Sequence, residues 1–342
     1  MSTRTVGIDI GGANLKYADG DGFALARSFA MWRHPDKLAE TIAGDLLACG
    51  TIDSLAVTMT GELADCFADR EVGVRHIVEH TVQASRQCGI GSVHFYGVDG
   101  QFHDASEACE KVDLLAAANW HALANFVGTS VAASALLIDI GSTTTDIVPI
   151  VDGAVATDAR TDYDRMLQGS LVYVGCRRTP VCALTSTLEF RGHVTGVMNE
   201  LFATIDDARL VLGTVAQQAK DTDTADSMPR TKEFAANRLA RMIGLDRRSV
   251  SVQDSRELAQ QVVQAASDQI RAGVQRMLQL APRLETDPVY VVSGHGGDLL
   301  QLADNSFSLS LAEMLGDEMS RCAPALAVAQ LLSCHAQHSS GS

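Results

Sequence analysis

Two aspartates stand where strand-like runs give way to tight turns. Asp9 lies in Ile8-Asp9-Ile10-Gly11 and Asp139 in Ile138-Asp139-Ile140-Gly141, the same four residues 130 positions apart. The first copy runs on into Gly12-Ala13-Asn14, the second into Ser142-Thr143-Thr144-Thr145. Glycine there supplies the unusual φ angles of a tight turn and lets the backbone approach an anion closely. Successive turn N–H groups form an anion-binding concavity, and Ser and Thr hydroxyls add donors. A carboxylate beside bound phosphate is repulsive unless a cation intervenes. Asp9 and Asp139 are therefore read as Mg²⁺ ligands, directly or through water. The alternative is two ordinary strand–turn units whose Asp side chains brace the turn. Two copies point to an internal duplication whose halves face one phosphate-bearing ligand.

A third cluster, Ser293-Gly294-His295-Gly296-Gly297-Asp298, follows the apolar run Val289 to Val292. A Gly-rich strand-to-helix turn can lay its backbone on a flat ring or a phosphate; a plain structural turn fits it equally. Lys16 either reaches phosphate or is a solvated edge residue. Thr60 and Glu62 follow a strand end, a usual place for ligand contacts in α/β folds. Asn119 and Trp120 lie on an otherwise Ala-rich helix, where Trp as core filler is the plainer reading. Arg177 and Arg178 suit a carboxylate such as a glutamyl group, which guanidinium grips in a two-pronged way; surface charge is the alternative. Asp221, Asp223 and Asp226, with Lys220 and Arg230, form an acid-rich loop fitting a second Mg²⁺, a substrate amine or solvent alone. His76 and His80 have helical i, i+4 spacing but no evident third metal ligand. Cys176 and Cys182, flanking the Arg pair, read as small apolar residues.

These groups need strands to aim them. Residues 4–30 predict three short strands, with Asp19-Gly20-Asp21-Gly22 a hairpin turn. A helix is expected over 35–49, with Pro35 in its first turn. A strand over 54–59, a helix over 73–88, a strand over 92–97 and an Ala-rich helix over 105–126 complete a first unit. Strands over 135–140, 145–151 and 154–160 then repeat the opening three, with Val151-Asp152-Gly153 as a turn. Residues 163–230 are the least regular. Helices follow at 231–244 and at 254–280, the second opened by the capping-box spacing Asp254-x-x-Glu257. A strand-like run over 289–292 leads into the Gly-rich turn. A last helix is expected over about 309–334, and a disordered tail from 337.

The bulk properties agree with this layout. The chain has 342 residues, enough for two domains with ample core. Its formal charge of −15 favours solubility and argues against non-specific nucleic-acid binding. No apolar stretch reaches membrane-spanning length. Met1-Ser2-Thr3-Arg4-Thr5 leads directly into a strand, so no signal peptide is expected. The eight Cys are scattered without a C-x-x-C pair, and reduced thiols in a cytoplasm are the expectation.

The motif set Gly7-Ile8-Asp9-Ile10-Gly11-Gly12, Asp139-x-Gly141-x-x-Thr144 and Gly294-His295-Gly296-Gly297 resembles the actin-like ATPase superfamily. The match narrows on several further segments. These are Gly11 to Lys16, Thr58 to Phe67, Ala116 to Trp120, Arg177 to Pro180, Asn199 to Thr204 and Asp223 to Asp226. They resemble the tetrahydromethanopterin-linked one-carbon transfer proteins, related to the hydantoinase/oxoprolinase group. The resemblance implies a two-lobed α/β fold of duplicated ribonuclease H type, with mixed sheets flanked by helices. The first lobe would span 1–131 and the second 132–336, with an irregular insertion near 163–230 and the Gly turn at 293–298. Archaeal members are similar to a methanofuran-biosynthesis enzyme. It joins an aminomethylfuran-methyl diphosphate to the phenol of γ-glutamyltyramine and releases pyrophosphate.

On that resemblance, Asp9 and Asp139 would hold Mg²⁺, and Glu62 or Asp65 would accept the phenol proton. Gly11, Gly12, Asn14, Lys16, Gly141, Ser142, Thr143, Thr144, Gly294, Gly296 and Gly297 would bind phosphate or nucleotide. Thr60, Asn119, Trp120, Arg177, Arg178, Asp223 and Asp226 would touch substrate. Asn14 stands where many kinases carry Thr or Ser. An ATP-dependent kinase-like or oxoprolinase-like enzyme, with ATP in the same cleft, is the runner-up. A non-catalytic nucleotide-binding regulator is the third reading. Expected partners are a small-molecule diphosphate and a phenolic acceptor, with no nucleic acid and no membrane; a homodimer stays open.

Overall fold

The computed structural model describes residues 4–284, 288–302 and 306–339. The first sheet contains β1 (Thr5–Gly11), β2 (Asn14–Ala18), β3 (Ala24–Ser28), β4 (Ser54–Thr60), β5 (Ser92–Tyr96) and β6 (Phe102–His103), in the order β3-β2-β1-β4-β5-β6. The second contains β7 (Ala135–Ile140), β8 (Thr145–Val151), β9 (Ala154–Val155) and β10 (Leu171–Val172). It is completed by β13 (Tyr290–Gly294) and β14 (Ser308–Ser310), in the order β10-β8-β7-β13-β14 with β9 also on β8. A separate hairpin, β11 (Thr187–Phe190) and β12 (His193–Gly196), stands between them in sequence.

The two large sheets are built alike. In each, the leading strand pairs antiparallel with the next and parallel with a later one. The register repeats at the same offset of 130: Asp9 lies opposite Lys16, and Asp139 opposite Asp146. Both leading strands are almost wholly buried, as central strands covered on both faces must be. Their apolar runs therefore do not alternate.

Helices cover these sheets: α1 (Leu38–Ala48), α2 (Arg70–Gln87), α3 (Ala105–Glu110), α4 (Val112–Leu115) and α5 (Asn119–Ser130) in the first half. The second half has α6 (Asp162–Gln168), α7 (Val181–Leu184), α8 (Ile205–Leu212), α9 (Lys232–Arg241), α10 (Val252–Leu280), α11 (Leu311–Leu315), α12 (Asp317–Arg321) and α13 (Ala323–Ser339). None is long and apolar enough to cross a membrane among the described residues.

Several expectations are corrected. The helix expected over 105–126 is three pieces: it breaks at Lys111, which leaves helical geometry, and again where Ala117 adopts a left-handed φ of 48°. The strand expected over 154–160 stops at Val155, and β10 pairs with β8 opposite Thr145 and Asp146. The stretch 163–230 is not irregular throughout: it holds α7, α8 and the β11–β12 hairpin. Val181, Leu184, Leu188, Ile205 and Val211 share one core with Leu258, Val262 and Ile270 of α10. The capping box of α10 lies three residues earlier than expected, with Ser251 as cap and Asp254 closing it. The helix expected over 309–334 is a short strand followed by α11, α12 and α13. The tail expected to be disordered from 337 is helical to Ser339, and 340–342 lie outside the described residues.

The last helix crosses back to the first sheet, packing along β1, β2, β4 and α5, although the expected boundary assigns it to the second lobe. Gly7 makes the approach feasible: a Cβ there would lie 1.8 Å from the Ala325 carbonyl oxygen. Backbone of a packed helix cannot yield as a side chain would. Gly7→Ala is expected to cost at least about 3 kcal/mol, read as a lowered urea midpoint.

Candidate active site

The two equivalent hairpins bring their charged residues within electrostatic reach of one another: Asp9 and Lys16 of the first act on Asp139 of the second. Asp9 is buried, and the Lys16 ammonium lies 3.5 Å from its carboxylate. Burial raises the Asp9 pKa and Lys16 opposes the rise. Burial also opposes the charge on Lys16, yet Asp9 and then Asp139 outweigh it and raise its pKa. Lys16 of the first hairpin thus feels the aspartate of the second. Asp139 is pushed up to about 6, by burial first and next by Asp146 across the strand pair. Asp146 itself is paired with the buried Arg165.

Each aspartate has a hydroxyl neighbour on the adjoining parallel strand, Thr58 beside Asp9 and Ser293 beside Asp139. Asp9 Oδ1 and Thr58 Oγ1 are buried without a hydrogen-bond partner, a costly state that a bound cation, water or ligand would relieve. Among the described residues no three His, Cys, Asp or Glu form a closed metal cluster. Mg²⁺ takes one or two carboxylates and fills its shell from phosphate and water. The Asp9 and Asp139 donors fit such an ion.

Glu62 is the second centre of the site. Gly61 donates its N–H to Ile10 O at 3.0 Å, so Glu62 follows directly on the backbone of the first turn. α2 packs hard against it: a Cβ on Gly73 would lie 2.0 Å from the Glu62 carbonyl oxygen. Only 1 % of Glu62 is exposed. Burial pushes its carboxyl up to about 7, helped by Asp162 and opposed by Arg70 and by the N–H groups of Glu62 and Ala117. Ala117, whose N–H opposes the rise, is also the residue in the left-handed region that separates α4 from α5. Glu62 Oε2, Arg70 Nε and Trp120 Nε1 are also buried without partners. Asp65, by contrast, is exposed.

The other expected residues divide. Thr60 pairs with Gly11, and a Cβ on Gly11 would lie 3.5 Å from the Thr60 hydroxyl, which places it at the first turn. Asn119 opens α5 and is half-buried. Trp120 is buried with the Arg165 guanidinium 4.4 Å from its ring centroid. It joins α5 to α6, and Arg165 also binds Asp162 at 3.0 Å. Arg177 and Arg178 flank the second turn, both N–H groups donating to Ser142 O at 3.1 and 2.8 Å. Arg177 is tied to Asp221 at 2.8 Å.

The acid-rich loop is not a free ligand set. Asp226 is held by Arg238 at 2.9 Å and Arg241 at 3.1 Å. Arg230 grips Asp206 through two 2.6 Å bonds. Asp223 is 94 % exposed and 3.7 Å from Arg177. These pairs occupy the loop with its own scaffold.

The third Gly cluster packs on the second hairpin. A Cβ on Gly294 would lie 2.2 Å from Ile140 O, and one on Gly296 2.1 Å from the Ile140 side chain. Those two glycines have a packing reason of their own, while Gly297 is nearly open. Buried Arg209 fixes the turn, binding Asp298 at 2.6 Å, His295 O at 2.8 Å and Cys176 O at 2.7 Å. His76 and His80 stack at 3.8 Å and bond to Pro35 O and His76 O, so they pack α2 rather than present ligands.

Asp146, Arg165, Arg70, Asp162 and Arg209 were missed from the sequence. Asp146 had a signal: it lies 130 residues after Lys16. The arginines have none, because their partners are brought together by the fold.

Comparison with known proteins adds family and fold. The Hydantoinase/oxoprolinase family description matches residues 53–335. A relative from Methanocaldococcus jannaschii is 34 % identical over 97 % of this chain and 98 % of its own. It is named (4-{4-[2-(gamma-L-glutamylamino)ethyl]phenoxymethyl}furan-2-yl)methanamine synthase. A Methanococcus vannielii protein of the same name is 31 % identical over 61 % of this chain and 95 % of its own. Among solved structures, a nucleotide-free acetone carboxylase superposes with a TM-score of 0.56 at 12 % identity, over 96 % of this chain and 70 % of that one. The α/β fold of mixed sheets flanked by helices expected from the resemblance is the one observed, and the acetone carboxylase shares it.

Proposed function

This chain belongs to the hydantoinase/oxoprolinase family, and on that premise we propose that it is an ether-forming transferase of methanofuran-type cofactor synthesis. It condenses an aminomethylfuran-methyl diphosphate with the phenol of γ-glutamyltyramine and releases pyrophosphate. The name the two relatives share describes that condensed product. The observation carrying the proposal is the placement of Glu62, a buried carboxyl near neutrality, directly behind the turn of a phosphate hairpin.

The reaction breaks the bond between the furfuryl carbon and the bridging diphosphate oxygen and joins that carbon to the phenolic oxygen. Glu62 takes the phenol proton; the C–O bonding pair leaves with pyrophosphate. A phenol has a pKa of about 10, so a carboxylate of pKa near 7 is far better matched than one in the ordinary range. Lys16 and the turn N–H groups of Gly11–Asn14 and Ser142–Thr144 neutralise charge that grows on the leaving group; the Gly141 N–H is held by Thr144 O at 2.9 Å and takes no part. The Ser142 and Thr143 hydroxyls stand on the same turn. Asp9 and Asp139 would hold Mg²⁺, which when bound supplies Lewis-acid stabilisation of the departing diphosphate. Arg165 keeps Asp146 occupied and leaves Asp139 free for this role.

An assay with the furfuryl diphosphate and γ-glutamyltyramine, read by pyrophosphate release, tests the proposal. Thermal shift is the companion measurement. Pyrophosphate with Mg²⁺ is expected to raise the melting temperature more than ATP or ADP does. Stronger stabilisation by the nucleotides would sink the transferase reading in favour of an ATP-dependent enzyme.

A further inference from the structure

Trp32 meets Arg178 between the two hairpin turns. Trp32 follows Met31, whose N–H donates to Gly12 O at 2.9 Å on the first turn. Arg178 donates its own N–H to Ser142 O at 2.8 Å on the second. Gly12 and Ser142 are equivalent positions, 130 apart, so the two residues hang from matching points of the duplicated hairpins. From there the Arg178 guanidinium reaches to 5.8 Å from the Trp32 ring centroid.

Three features make this contact exchangeable. Trp32 is 40 % exposed, whereas the chain's other tryptophan, Trp120, is 2 % exposed and stacked on Arg165. Arg178 is exposed and pairs with no carboxylate among the described residues, while its neighbour Arg177 is held by Asp221. A solvated cation–π contact is weak, whereas guanidinium binds phosphate oxygens through paired, charge-assisted hydrogen bonds.

We propose that Trp32 and Arg178 are a displaceable pair that recognises the donor substrate: its diphosphate draws Arg178 off the indole, and the freed indole face stacks the furan ring. The proposal rests on the diphosphate-transfer reading above. Arg178 is thereby assigned to the diphosphate rather than to the glutamyl carboxylate, and Trp32 becomes a specificity residue.

The test is tryptophan emission of the intact chain titrated with inorganic pyrophosphate and Mg²⁺, with Trp32→Phe as the blank for Trp120. Emission from Trp32 is expected to change on saturation. In calorimetry Arg178→Gln is expected to weaken pyrophosphate binding about tenfold. In steady state, Trp32→Leu is expected to raise KM for the furfuryl diphosphate about tenfold and leave KM for the phenol within about twofold. Calorimetric binding without an emission change, or full-strength binding by Arg178→Gln, overturns the pair and leaves the diphosphate reading standing. A chain that binds ATP and not pyrophosphate overturns both.

Discussion

Glu62→Gln is expected to lose about 10²–10⁴-fold in turnover while becoming more stable than the parent chain above pH 7. The two effects share one cause. Burial holds the Glu62 carboxyl at about 7 against an ordinary value of 4.5. The folded state therefore keeps a proton that the unfolded chain has already released between those values. Stability from this group is fully present below about 4.5 and is lost as pH rises through 7. Above pH 7 the folded chain carries a buried anion, costing up to about 3 kcal/mol. Glutamine carries no such cost. The anion that costs stability is the form that accepts the phenol proton. The parent kcat/KM should thus climb with pH to about 7 and level off, and the variant should lose that rise. Pyrophosphate-release rates from pH 5.5 to 8.5, with urea unfolding at both ends, check both halves. A variant retaining more than a tenth of parental turnover would remove Glu62 from the mechanism.

Asp139→Asn is expected to lower kcat/KM by about 10²–10³-fold and to abolish the Mg²⁺-dependent part of pyrophosphate stabilisation. Asp9→Asn should behave likewise, since the two residues hold equivalent registers. The second carboxylate titrates within reach of experiment, at about 6. A cation needs the charged form, so Mg²⁺ dependence in the parent chain should strengthen as pH rises through 6. In Asp139→Asn that pH step should vanish, and the Lys16 ammonium, deprived of one anion, should become easier to deprotonate. The check is a thermal-shift matrix of Mg²⁺ against pH at fixed pyrophosphate. An unchanged matrix in both variants would argue that the aspartates merely brace their turns.

What the sequence reveals about this molecule is local or repeated. The hairpins at Asp9 and Asp139 are legible because turn chemistry and apolar runs are properties of neighbouring residues, and because they occur twice. The β-turn at Asp19 to Gly22 is legible for the same reason, with Gly20 and Gly22 at positive φ. Glu62 could be picked out as a strand-end acid, but its near-neutral pKa depends on α2, Ala117 and Asp162, which only the fold assembles. The break at Ala117 runs against propensity and leaves no mark in an Ala-rich stretch. Arg165, Arg209 and Arg238 look like surface cations in sequence and are buried in the structure. Their aspartate partners lie 19, 89 and 31 residues away. The same blindness made Asp226 look available when Arg238 and Arg241 already hold it.

The return of α13 to the first sheet fixes an order of events in making the chain. Strands β1 to β5 are synthesised first, yet the helix that covers β1 comes from residues beyond 322. The first half therefore lacks one wall of its core while the whole second half is translated. In topological terms the second half is an insert, spliced between the body of the first lobe and its closing helix. Its two ends are both anchored in the first lobe.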